Sequence, residues 1–218
     1  MELGKVKNNY IHPTAIVEKS VVLGVGNYIG PYCYITGKTI IGDNNRFEAY
    51  CSIGTPPEHN GYFEKTDCET VIGNNNFFRE FTTVHSGSTR ATTIGNRVKV
   101  LRGTYIGHDC IIQDDVNFTA NVLIAGYVIV MSGVNFGLGS MCHQYSVVGA
   151  YSMIGMGTMI TKTSVISPGG VYIGSPARRL KKNDIGLDKY KITNNLLSEL
   201  NKKFEELKIE NKLHSKYN

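Results

Sequence analysis

The residues of this 218-residue chain best suited to moving protons near neutral pH are six histidines: His12, His59, His85, His108, His143 and His214. A neutral imidazole can take a proton from a hydroxyl or an amine at pH 7, which is general-base chemistry. His108 lies in Gly107-His108-Asp109-Cys110, with a carboxylate directly beside it. His12, His85 and His143 each follow directly on an apolar residue of a regular repeat, whereas His108 comes two places after Ile106. That offset puts His108 at the edge of a side of the repeat, where a side chain points outward. From the residues alone, a structural and a catalytic role for it both stand. The histidines are dispersed with no HxxxH spacing, so no metal site is expected. There is no GxSxG elbow for a nucleophilic serine. Five cysteines, an odd number without a CxxC pair, point to reduced thiols in a cytoplasmic protein.

The elements that must position these side chains follow from a period of six. Apolar residues recur at Ile11, Val17, Leu23, Ile29, Ile35, Ile41, Phe47 and Ile53, then at Ile72, Phe78 and Val84. A third run extends from Ile94 in steps of six to Ile166. Six is neither the helical 3.6 nor the strand 2; it describes a two-faced short strand plus a corner, with one inward residue per side. Twenty-four such positions make about eight triangular coils, an all-β parallel β-helix whose coils stack through backbone hydrogen bonds. Gly, Asn and Asp at the corners, as in Asp43-Asn44-Asn45 and Asn74-Asn75-Asn76, tolerate the left-handed backbone a corner requires. The step from Ile53 to Ile72 is 19 residues, so a loop near 55–70 leaves the prism; the step from Val84 to Ile94 is ten, a smaller excursion. Loops on a rigid scaffold commonly carry binding groups.

The β-helix is expected over residues 1–174, and a basic segment over 175–218 holds 11 Lys/Arg against 6 Asp/Glu. The remainder of the chain is balanced, so the net charge of +5 belongs to this end, which suits an anionic partner. Within it Leu196, Leu197, Leu200, Phe204 and Leu207 share one face of a helix near 193–207, with Thr193 as N-cap. A lone helix of that length is marginal and must pack on its own prism or on a neighbouring subunit. The polar N-terminus has no signal-peptide pattern, and no apolar run reaches the ~20 residues of a membrane span.

Several stretches carry a more specific signal: Pro13-Thr14-Ala15-Ile16-Val17 after His12, NNNFFREFTTVHSGST at 74–89, GHDC at 107–110, LIAGYV at 123–128 and HQYSVVGAYSMIG at 143–155. Together they resemble the UDP-N-acetylglucosamine O-acyltransferases of lipid A biosynthesis, over about residues 10–205. The resemblance implies a left-handed β-helix and a homotrimer with active sites between prisms. It implies His108 as general base on the acceptor sugar, Asp109 beside it, and the Gly126 amide as oxyanion donor. His143 and Gln144 would line the cleft, and Arg79, Glu80 and His85 would shape its donor or nucleotide side.

This chain departs from that pattern in places. Tyr105 and Tyr127 stand at cleft positions that are His in the family, and the loop at 55–70 offers only Lys65 for a substrate lysine. Met156 falls where the family sets acyl-chain length. Gly174-Ser175-Pro176-Ala177-Arg178-Arg179 resembles instead the ending of acetyl-CoA-dependent hexapeptide transferases, where Ser175, Arg178 and Arg179 would meet coenzyme A phosphates. The segment can also serve as a capping turn. The expected reaction is transfer of an acyl group from acyl-CoA or acyl-acyl carrier protein to a hydroxyl or amine of a nucleotide-linked sugar, with no permanently bound cofactor and no nucleic acid. Two rivals remain open: a short-chain acetyl-CoA-dependent sugar acetyltransferase and a non-catalytic hexapeptide scaffold subunit.

Overall fold

The computed structural model describes residues 8–59 and 69–214, with the backbone alone for Leu213 and His214. Most strands are two residues long, and the second residue of each points into the prism: Tyr28–Ile29, Arg46–Phe47, Phe77–Phe78 and Lys99–Val100 all end on a buried residue. They assemble into three sheets of ten, eight and seven strands, through which the chain cycles in turn. All pairings but one are parallel and join one coil to the next. With the bridge between Val148 and Ile166 the three sides make eight full coils and the first side of a ninth. The molecule is a left-handed parallel β-helix, as the repeat and the resemblance led one to expect.

Register places like positions above like. Phe47 faces Phe78 across the first sheet with ring centroids 4.6 Å apart, and Phe118 faces Phe136 at 5.0 Å. Each fully buried Ile, Val or Phe of this column contributes about 2 kcal/mol of transfer free energy. The corners are left-handed at Asn44, Asn75, Asp109 and Tyr127 among others, where φ lies near +60°.

A buried asparagine ladder adds what periodicity did not reveal. Asn9, Asn27, Asn45 and Asn76, each at most 2% exposed, follow one another up one edge. Each side-chain oxygen accepts from the amide of the matching residue one coil on: Asn9 from Asn27 N, Asn27 from Asn45 N, Asn45 from Asn76 N and Asn76 from Val98 N. Each side-chain nitrogen donates to a corner carbonyl, as from Asn45 to Gly73. The polar groups are thus satisfied, which makes their burial tolerable. Beyond Asn76 the same position becomes Val98, Val116 and Val134, all buried.

The C-terminal segment differs from expectation in two respects. Arg178–Lys182 forms an antiparallel strand on Gly170–Ile173, closing the end of the first sheet and following directly on the Gly174 turn. After a short helix, α1 (Asp184–Lys189), the main helix α2 runs over Asn194–His214, seven residues beyond the expected end. Thr193 caps it through its Oγ1, which accepts the Leu196 amide at 3.3 Å. The helix packs on its own prism. Phe204 is 1% exposed and meets Ile129, Met131, Val147 and Ala150 on the third sheet, flanked by Leu200 and Leu207. Leu196 is exposed, so it does not belong to the packed face as its spacing suggested. Among the described residues no helix is long and apolar enough to cross a membrane.

Candidate active site

The edge between the second and third sheets carries most of the residues singled out above. Tyr105 pairs with Leu123 and Leu123 with Met141, so three places further on His108, Gly126 and Gln144 succeed one another at one corner of consecutive coils. His108 is 7% exposed, and its Nδ1 lies 2.6 Å from Asp109 Oδ2. Asp109 is fully buried in a left-handed corner with φ of +62°.

The donors around Asp109 come from the short excursion between Val84 and Ile94. Its Oδ2 accepts the Ser88 amide at 2.9 Å and the Ser88 hydroxyl at 2.7 Å, and its Oδ1 accepts the amides of Thr89 and Arg90 at 2.8 Å each. Burial pushes this carboxyl up, but the hydrogen bonds from His108, the Arg90 amide, Ser88 and Thr89 outweigh it and hold it below the usual carboxylate range. An ionised carboxylate only accepts, so in the neutral imidazole the proton sits on His108 Nδ1 and Nε2 keeps its lone pair. That is the tautomer a general base needs.

Nε2 points over Gly126. A Cβ at position 126 would stand 2.7 Å from both Cε1 and Nε2 of His108, so the ring occupies the space that any other residue would fill. A Cβ at Gly107 would stand 2.8 Å from the Gly126 nitrogen. The two glycines let the Gly126 backbone and the imidazole approach closely at a buried corner. Neither has a left-handed backbone; their requirement is close approach.

Aromatic rings pack behind His108. Tyr127 is 2% exposed, meets the imidazole edge-on at 5.3 Å and places its hydroxyl 3.0 Å from Ser88 Oγ and 3.1 Å from Thr89 Oγ1. It therefore supports the base from within one chain and lines no open surface there. Its ring stacks on Tyr145 at 4.7 Å.

The described start of the long loop reaches the same place. The His59 ring meets the His108 ring edge-on at 5.5 Å, and Glu58 Oε2 accepts a hydrogen bond from the Tyr105 hydroxyl at 3.2 Å. Burial, and then the Glu58 charge, push the Tyr105 phenol up, so it stays a donor. His85 is 6% exposed, with Nδ1 2.6 Å from the Pro56 carbonyl and its ring against Tyr105 at 5.3 Å. Lys65 falls outside the described residues. His143 and Gln144 are exposed on the coil after that of Gly126 and line a cleft of about 500 Å³ between α2 and the prism, together with Lys162, Lys208 and Lys212.

The remaining residues lie elsewhere on the chain. Arg79 and Glu80, paired at 3.0 Å, and Met156, 74% exposed, occupy the edge between the first and second sheets. Ser175 sits beside Met159 near that edge, and Arg178 and Arg179 are exposed on the closing antiparallel strand. One chain therefore does not bring them to His108. Sequence reasoning missed Ser88, Thr89, Arg90 and Glu58. The ten-residue step at Val84–Ile94 marked the excursion, yet nothing local showed that its amides would turn onto a carboxylate one coil away.

Among the described residues no thiol beside His108 is a ready nucleophile. Cys33, Cys51, Cys110 and Cys142 are buried and free, and burial pushes the Cys110 and Cys142 thiols up to about 12. Among the described residues no group of three His, Cys, Asp or Glu side chains could hold a metal ion.

An imidazole held by a buried carboxylate over a glycine amide, on a parallel β-helix, is an arrangement suited to acyl transfer. Comparison with known proteins agrees. The acyl-[acyl-carrier-protein]–UDP-N-acetylglucosamine O-acyltransferases of Paraburkholderia phytofirmans and Burkholderia vietnamiensis are each 34% identical over 97 residues, 43% of this chain. The chain resembles the UDP-N-acetylglucosamine O-acyltransferases. That match spans only 37% of the length of those relatives. The fold likeness is longer. The UDP-N-acetylglucosamine acyltransferase of Francisella novicida superimposes with a TM-score of 0.76 at 26% identity, covering 88% of this chain and 77% of the other. The UDP-N-acetylglucosamine O-acyltransferase of Moraxella catarrhalis does so at the same TM-score and 28% identity, covering 88% and 82%. No family model matches the chain.

Proposed function

We propose that the protein is an acyltransferase that moves an acyl group from a thioester to a hydroxyl of a nucleotide-linked sugar such as UDP-N-acetylglucosamine, in lipid A-type or cell-surface glycan synthesis. The observation that carries this reading is the Asp109–His108 pair with its imidazole against the Gly126 backbone. Asp109 holds the imidazole by Nδ1, and Nε2 takes the proton of the sugar hydroxyl. The oxygen attacks the thioester carbonyl, and the tetrahedral oxyanion rests against the Gly126 N–H. Collapse expels the thiolate, which recovers the proton from the imidazolium. No covalent enzyme intermediate is involved.

The reading calls for a homotrimer, because the candidate residues of one chain are split between two edges. The face between those edges, the second sheet, exposes Leu123, Met141 and Met159 at about 40% each, whereas α2 already covers the third. A second copy against that face buries apolar surface and brings Arg79, Glu80, Met156, Ser175, Arg178 and Arg179 to a neighbour's His108. The donor is an acyl-acyl carrier protein or an acyl-CoA. The exposed Met156 suits a short acyl chain, and Arg178 and Arg179 suit coenzyme A phosphates.

The test is to incubate the protein with UDP-N-acetylglucosamine and either 3-hydroxyacyl-acyl carrier protein or acetyl-CoA, and to follow release of the free thiol. Product with the carrier protein supports the first donor, and product with acetyl-CoA supports the short-chain enzyme. Thiol release at the background rate with both, and no binding of the sugar nucleotide by calorimetry, would leave a scaffold subunit and sink the enzyme reading.

A further inference from the structure

Helix α2 continues one turn and more beyond its last apolar contact at Leu207, and that extension buries a polar residue. Asn211 is 1% exposed. Its Nδ2 donates to the carbonyls of Tyr127 at 2.8 Å and Tyr145 at 3.0 Å, and its Oδ1 accepts from Arg90 Nη2 at 3.2 Å. Arg90 in turn donates from Nε to the Asp109 carbonyl at 2.7 Å and from Nη2 to the Tyr127 carbonyl at 3.3 Å. The carbonyls held in this way belong to Asp109, Tyr127 and Tyr145. These residues directly follow His108, Gly126 and Gln144 at one corner of three consecutive coils.

All three are left-handed non-glycine residues, with φ of +62°, +61° and +63°. The same backbone recurs at other corners of the prism, as at Tyr50, Phe81 and Asn121, so it does not by itself set this corner apart. What sets it apart is that a fork of one guanidinium and one carboxamide ties its carbonyls together, using both donors and the acceptor of Asn211.

We propose that Asn211, acting through Arg90 and the corner carbonyls, is a positioning residue that sets the spacing between the His108 imidazole and the Gly126 amide. The C-terminal helix thereby completes the active corner rather than only shielding the third sheet. The kinetic part of this inference rests on the acyl-transfer reading.

The test compares Asn211→Ala with Leu200→Ala, which loosens the same helix at a half-buried contact remote from the carbonyls. In Asn211→Ala, kcat should fall by on the order of tenfold to a hundredfold, the scale of a small misplacement of reacting groups, with KM for donor and acceptor little changed. The downfield proton resonance of His108 Nδ1–H should shift or broaden in the same variant. Leu200→Ala should lower Tm while leaving kcat and that resonance as in the parent. Arg90→Lys, which keeps the charge but loses the planar fork, should reproduce Asn211→Ala and serves if the latter fails to fold. Unchanged kcat and resonance in Asn211→Ala or Arg90→Lys, or equal losses in Leu200→Ala, would overturn the proposal. The resonance needs no substrate, so a parent protein without acyltransferase activity would sink the functional reading and leave this test standing.

Discussion

The His108 ring lies against the backbone of Gly126, so closely that a methyl group at position 126 would stand 2.7 Å from both Cε1 and Nε2. The proposed base and amide donor are thus one unit, built from the same corner of adjacent coils about 4.8 Å apart.

Gly126→Ala separates the two without straining the backbone, since Gly126 has no positive φ. The added methyl must displace the imidazole, and kcat/KM is expected to fall about a hundredfold, the cost of a displacement near 1 Å. Circular dichroism and Tm should show the fold intact. Steady-state kinetics at the parent rate would exclude the juxtaposition as catalytic.

Asp109 links the site to acid stability. Its folded pKa lies below the usual carboxylate range, so its stabilising contribution is present in full above that range. The contribution is lost as pH falls from there towards the lower folded pKa, because the unfolded chain then binds the proton first. Urea unfolding between pH 7 and pH 2 should show stability falling below about pH 4. Asp109→Asn should be destabilised at pH 7 by about 3 kcal/mol, since a carboxamide cannot accept from every donor, and should lose this acid-side slope. An equal slope in both proteins would assign it to other carboxylates.

Cys110 follows Asp109 directly, and its thiol is pushed up to about 12 by burial. A thiolate there is scarcely populated at neutral pH, so Cys110→Ala should keep kcat within about twofold while losing about 1 kcal/mol of packing. Loss of thiol release beyond that in single-turnover assays would reopen a covalent mechanism.

The asparagine ladder predicts a stability effect far from the site. Asn45→Ala leaves the Asn76 amide and the Gly73 carbonyl without their partners inside the prism, and about 2 kcal/mol should be lost. Asn45→Val should cost less than two such bonds if the coil repacks as it does at Val98, Val116 and Val134. Chemical denaturation of both variants decides between hydrogen bonding and shape.

Much of the scaffold was legible before any coordinates, because a coil of this kind writes its geometry into every sixth residue. Ile106, Ile124 and Cys142 are buried inward, and the corners take the left-handed backbone that the Asn and Gly there suggested. The place of His108 was also legible, since its offset from Ile106 puts it on an edge. The helix was seen but its end was not. Leu196 fits the apolar spacing yet is exposed, and Asn211 continues that spacing as a polar residue and is buried.

The tertiary structure alone decided what surrounds His108. Ser88, Thr89 and Arg90 lie about twenty residues from Asp109, and Asn211 lies 121 residues from Arg90. Periodicity is a local signal, repeated because each coil must bury the same inward face, so it specifies the prism and its edges. The hydrogen bonds that orient one carboxylate depend on where an irregular excursion and a distant helix come to rest. Those contacts are made once, between segments that share no period, and they exist only when the coils have stacked.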